Sequence, residues 1–155
     1  MSYKKIKAYN YSEIELREIW KTEYCLTSIE TFDCVKVKFY EDMFDHVFFE
    51  SKDRKEKDKS ILSLNRLEKI YWIKDCLTDS SAILKQGWDT KNKEHFKDRR
   101  VAIVKGNYVV IIRFTGFLRA KLITAYEKSD IENILNAPDF QKTKEYFKEK
   151  AQKKR

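Results

Sequence analysis

Residues 99–126, RRVAIVKGNYVVIIRFTGFLRAKLITAY, decide the fold. They read as three consecutive antiparallel strands punctuated by turns at Gly106-Asn107 and Gly116. Val109, Val110, Ile111 and Ile112 are consecutive and apolar, so both faces of that strand are covered and it is the centre of the sheet. Strand side chains alternate, so Thr124 and Tyr126 share one side of the sheet. A regular strand would send Lys121 to the other.

Upstream, Ile61, Leu64, Leu67, Ile70, Ile73 and Leu77 recur every three or four residues, which predicts one helix over Ser60–Leu77. Its Leu64, Leu67, Ile70 and Ile73 side should pack against the 99–126 sheet. The expected class is α+β, a small antiparallel sheet with a helix across one face. Residues 34–50, CVKVKFYEDMFDHVFFE, alternate in two pieces. Val35, Val37 and Phe39 mark one strand, and Val47 and Phe49 a second. Residues 51–59 form a charged loop, and residues 85–98 a polar loop containing His95. Ser12 caps a short helix to about Trp20, with Glu15 completing a capping box. Residues 1–10 are basic and loosely held. Asp130 opens a short helix to about Leu135, Pro138 breaks it, and residues 139–155 make a basic terminal helix.

A chain of 155 residues suits one domain with one ordinary core. The formal net charge of +8 implies attraction to polyanions without choosing among them. Cys25, Cys34 and Cys76 have no CxxC spacing, which argues for a reducing compartment, hence the cytoplasm. No apolar run suggests a signal peptide or a membrane span. No metal-ligand motif, Walker loop or dinucleotide fingerprint occurs, so no metal and no cofactor are expected.

A few side chains stand out chemically. His46, at the edge of the expected second strand, can exchange a proton near neutral pH, or can simply hydrogen-bond Asp45. Lys59, Ser63 and Arg66 fall on one helix face, where Arg66 can clamp a phosphate or merely face solvent. Arg113 interrupts a central apolar strand, where a charge needs a carboxylate, a ligand phosphate or an escape to the sheet edge. Thr124 and Tyr126 can hydrogen-bond a phosphate, or fill a sheet rim as ordinary strand residues.

The order DHVFFE, charged loop, SLNRLEKIYWIKDCL, RRVAIVKGNYVVIIRF, KLITAY resembles the phage-associated branch of the barnase/EndoU/colicin/RelE-like nuclease superfamily. The resemblance spans about residues 34–136. It implies a nuclease domain over 34–138, a helical extension over 1–33 and a basic tail over 139–155. It further implies metal-independent RNA cleavage by 2′-hydroxyl attack, leaving a 2′,3′-cyclic phosphate. His46 would be the general acid or base, Arg66 and Arg113 phosphate clamps, and Thr124 and Tyr126 oxygen ligands or proton donor. Lys59 and Lys121 would bind RNA, with tRNA or other structured RNA as substrate. A toxin or phage-conflict role would bring an antitoxin or immunity partner. The alternative is a non-catalytic RNA-binding module on the same fold, and a third reading is an interaction protein with an aromatic docking surface. Convergence of His46, Arg66, Arg113, Thr124 and Tyr126 in one cleft would separate cleavage from binding.

Overall fold

The computed structural model describes residues 3–50, 61–86, 88–89, 94–95, 100–136 and 139. Its helices are α1 (Glu13–Trp20), α2 (Met43–Phe48), α3 (Leu64–Leu67), α4 (Trp72–Thr78) and α5 (Glu132–Leu135). Its strands are β1 (Ile29–Glu30), β2 (Lys36–Lys38), β3 (Phe49–Glu50), β4 (Ile61–Leu62), β5 (Ile83–Gln86), β6 (Trp88–Asp89), β7 (Glu94–His95), β8 (Arg100–Lys105), β9 (Tyr108–Gly116) and β10 (Arg119–Glu127). The class is α+β. The basic tail and Lys59 lie outside the described residues.

β8, β9 and β10 form the expected antiparallel meander. Gly106 takes φ +57 in the first turn, a left-handed conformation that suits a residue without Cβ. In the second turn the left-handed position falls on Leu118 (φ 52), and Gly116 closes the strand instead. The main sheet runs β1-β2-β10-β9-β8-β5. It is mixed, because β2 lies parallel to β10. β5 occupies part of the stretch read as a polar loop. It sets Leu84 opposite Ile103 and Lys85 opposite Ala102, so a short alternating run pairs with the sheet edge.

The register sorts side chains onto two faces. Val37, Ile103, Tyr108, Val110, Ile112, Ala120, Leu122 and Ala125 face the main core. Ala102, Val104 and Val109 form a smaller cluster on the other face, covered by Ile131, Ile134 and Leu135 around α5. β9 is therefore buried on both sides only in its first half. Arg113, Thr115 and Gly116 in its second half are exposed.

The single helix expected over 60–77 is two helices, α3 and α4, joined by a tight turn. The Tyr24 hydroxyl donates to the Ile70 carbonyl at 2.5 Å and accepts from the Lys74 amide at 3.1 Å. It stands where a helix would bond residue 74 to residue 70, and a group inserted into that ladder interrupts it. Leu67, Ile70, Ile73 and Leu77 are fully buried, as the apolar stripe requires, but Leu64 is exposed. Tyr24 reaches this position from the π-helical turn Lys21–Cys25, which follows α1 and its Ser12–Glu15 capping box.

The second strand expected over 47–49 is mostly helix. Phe44, Val47 and Phe48 are buried at helical spacing in α2, and only Phe49–Glu50 are extended. His46 thus sits on an exposed helix face, not at a strand edge. The first ten residues are anchored over their described part, contrary to the expectation of a loose segment. The Tyr3 hydroxyl donates to Asp79 at 2.8 Å, its ring meets Trp72 edge-on, and the Ile6 amide bonds the Glu68 carbonyl. Leu16, Trp20 and Tyr24 belong to the same core as the sheet.

Replacing Tyr24 by Phe keeps the ring but orphans a buried carbonyl and a backbone amide. Denaturant unfolding should show a loss of about 1–3 kcal/mol. Asp79 provides a pH signature. Hydrogen bonds from the Ser81 hydroxyl and amide and from Tyr3, aided by Lys105, hold its carboxyl well below the usual range. A carboxyl whose pKa is depressed in the folded state contributes stability that is fully present above the ordinary value of 3.8 and is lost as pH falls below it. Asp79→Asn should flatten the acid limb of a plot of melting temperature against pH.

Candidate functional site

The residues singled out from sequence separate onto the two faces of the sheet. His46 and Arg66 lie on the helix side. Arg66 is half-buried, and its Nη1 donates to the Val47 carbonyl at 3.2 Å, one residue from His46. Asp45 pairs with Arg17 at 2.5 Å. Arg66 also lines a cavity of about 200 Å³ with Ser63, Asn65, Lys69, Tyr108 and Glu127.

Arg113, Lys121, Thr124 and Tyr126 lie on the opposite face. Thr124 pairs with Ile111 and Tyr126 with Val109, both on the side of the smaller cluster. Tyr126 packs against that cluster. It also borders the cavity that holds Arg66, but alternation directs its side chain away from Arg66. Thr124 and Tyr126 share a face, as the alternation predicts. Lys121 joins them there, against the parity of a regular strand. Leu122 pairs with Ile112 and Thr124 with Ile111, so a register shift inserts one residue and restores Lys121 and Thr124 to one side. The set read as one catalytic group does not converge in a single cleft.

The open half of this face carries an arrangement that single residues did not reveal. Lys121 stands directly opposite Arg113 on β9 and beside Lys38 on β2. Arg113 in turn stands opposite Arg100 on β8. Lys38, Lys121, Arg113 and Arg100 therefore occupy one register position across four adjacent strands. Inter-strand spacings of about 4.8 Å make this row about 14 Å long. Lys36 and Arg119 form a second pair beside it. Among the described residues, no carboxylate pairs with Lys36, Lys38, Arg113, Arg119 or Lys121.

Aromatic rings border the row. Tyr40 is 43% exposed with the Lys38 ammonium 5.4 Å from its ring centre, and Phe117 is 70% exposed at the tip of the β9–β10 turn. These were missed from sequence because β2 and β10 are far apart along the chain. Only the parallel pairing of the two strands makes Lys38 and Lys121 neighbours.

Among the described residues, no group of three or more His, Cys, Asp or Glu side chains is placed to hold a metal ion. None of the described helices is long and apolar enough to cross a membrane. Comparison with known proteins finds no matching family model, curated protein or solved structure.

Like charges directly opposite one another on a sheet destabilise it. Lys121→Glu places a carboxylate between Lys38 and Arg113. It should raise stability at low ionic strength by about 0.5–1 kcal/mol, measured by urea unfolding, with the gain shrinking as salt is added.

Proposed function

We propose that this chain is an RNA-binding module that lays a single-stranded segment across the open half of its sheet. The observation that carries the reading is the in-register row of Lys38, Lys121, Arg113 and Arg100. Aligned cations such as Lys38, Lys121 and Arg113 cost folding free energy, and a strand of phosphates offsets that cost by replacing mutual repulsion with attraction. The exposed rings of Tyr40 and Phe117 offer π-faces to unpaired bases, which favours single strands over duplex. Stacking tolerates every base, so contacts to phosphate should dominate and sequence preference should be weak.

A second reading keeps the cleavage chemistry. The antiparallel β8–β9–β10 meander with α3 and α4 on its main-core side suits a barnase/RelE-like fold, and Arg66 bonds the carbonyl of Val47, the residue after His46. In this reading His46 exchanges the proton and Arg66 steadies the phosphorane, while Arg113 and Lys121 hold RNA on the other face. A toxin or phage-conflict role, with an antitoxin or immunity partner, belongs to this reading alone.

Binding of a fluorescent single-stranded RNA, titrated over a range of salt, tests the first reading. Affinity should fall steeply with salt, and Arg113→Gln or Lys121→Gln should each reduce the slope of log K against log salt by about one. Tyr40→Ala and Phe117→Ala should each weaken binding by about 1–3 kcal/mol. Salt-insensitive binding, or none, would defeat it. Incubation with total RNA in EDTA tests the second. Cleavage that His46→Ala slows by about two to four orders of magnitude would establish it, and intact RNA would eliminate it.

A further inference from the structure

We propose that the cavity between α3 and the ends of β9 and β10 is an oxyanion site for a phosphate monoester. It lies on the helix side of the sheet, at the Tyr108–Glu127 end of the β9–β10 pair, five residues along β9 from Arg113 of the cation row, and does not depend on the RNA reading.

The cavity collects polar groups that can donate to a ligand. Tyr108 is 4% exposed and lines it beside Ser63, Asn65, Arg66 and Lys69. Burial raises the pKa of the phenol well above its ordinary value, so it stays protonated and can donate. Arg66 spends one Nη1 donor on the Val47 carbonyl and meets no carboxylate among the described residues. The rest of its planar fork is available to a tetrahedral anion. Ser63, 2% exposed, accepts from the Arg66 amide and keeps its own O–H to donate.

Charge sets the sign of the ligand. Lys69 is 3% exposed, and its ammonium is oriented by the Asn65 side-chain oxygen at 2.5 Å, the Asn65 carbonyl at 3.2 Å and Glu68 at 3.3 Å. Glu127 stands 3.8 Å from the same ammonium and is the only carboxylate among the lining residues. Two lining cations against one lining carboxylate leave one positive charge. Glu68, adjacent to the wall, is shared between Lys69 and Lys5.

Size sets its class. About 200 Å³ is the room of roughly six or seven waters at about 30 Å³ each, and falls short of the roughly 300 Å³ at which pockets for drug-sized ligands begin. A phosphoryl group with a few atoms of its ester fits, and a whole nucleotide does not. The same chemistry is offered by the terminal phosphate of a nucleic-acid strand and by a small free phosphoester.

Amide-resolved NMR titration of the full chain with inorganic phosphate, against chloride at equal ionic strength, tests the proposal. Saturable shifts are expected at Arg66, Lys69, Tyr108 and Glu127. Arg66→Gln should weaken phosphate at least about tenfold, and Tyr108→Phe about threefold to tenfold. Arg113→Gln, on the other face, should leave phosphate binding unchanged while weakening RNA. Arg66→Lys, which keeps the charge and loses the fork, should still weaken phosphate if Arg66→Gln fails to fold. Displacement of phosphate by a 5′-phosphorylated oligonucleotide, but not by its hydroxyl counterpart, assigns the strand end. Displacement by glycerol phosphate alone assigns a free ester. Absence of saturable shifts, or equal affinity in the wild type and in folded Arg66 and Tyr108 variants, overturns the site. Because the RNA row answers to Arg113 and Lys121, either proposal can fail without the other.

Discussion

Burial of β9 on both faces, and its abrupt end at mid-strand, is the constraint on which the remaining features depend. Tyr108, Val109, Val110 and Ile112 are enclosed between the helix-side core and the small cluster under α5. Among the described residues, the cover on the second face comes from Ile131 and the four-residue α5. Beyond it, the strand must carry side chains that tolerate water, and Arg113 and Thr115 do. The apolar run alone implied a strand enclosed throughout, in which Arg113 would have needed a partner. The charge escapes without leaving the sheet, because half of one face is uncovered.

That asymmetry also divides the chemistry. On the helix side the cavity's charges are individually oriented, as with buried Lys69 against Asn65 and Glu68. The open side holds charges placed by strand register, with no carboxylate paired to Lys38, Lys121 or Arg113 among the described residues. The first arrangement selects a small ligand by geometry, and the second attracts a long one by repetition. Assigning all the reactive residues to one catalytic group ignored the sheet that stands between them. His46 and Arg66 remain neighbours through Val47, whereas Thr124 and Tyr126 face away from both.

Much of the meander was legible in the sequence because strand period, turn residues and apolar run all act within a few residues of one another. The errors share a different cause, which is action at a distance. The helix over 60–77 is broken by a hydroxyl from Tyr24, 46 residues before the carbonyl it engages. Val47 and Phe49 alternate like a strand, but Phe44, Val47 and Phe48 also satisfy a helix, and packing settled the ambiguity in favour of α2. One inserted residue between Leu122 and Thr124 reversed the parity of Lys121. Of the site, Arg66 was legible as a helix-face cation able to clamp a phosphate, and Arg113 as a charge out of place in an apolar strand. Lys69 was not, since lysine is ordinarily a surface residue and nothing local marks it as buried.

The cation row differs in kind from the net charge of the chain. The charge of +8 survives unfolding, but the row does not. Its members come from positions 38, 100, 113 and 121, and they align only when β2 lies parallel to β10 and Val37 enters the core beside Ala120. The N-terminal segment thus completes the surface. An unfolded chain would still attract polyanions diffusely, but could not align Lys38, Lys121 and Arg113 beside two exposed rings. A ligand that reads the spacing binds the native state better than the unfolded one, and so stabilises the fold in proportion to the logarithm of its concentration above the dissociation constant. The repulsion stored in the register is then the free energy that the ligand relieves. The same feature makes the bare protein less stable than its core would allow and gives the bound protein its preference for an anionic strand.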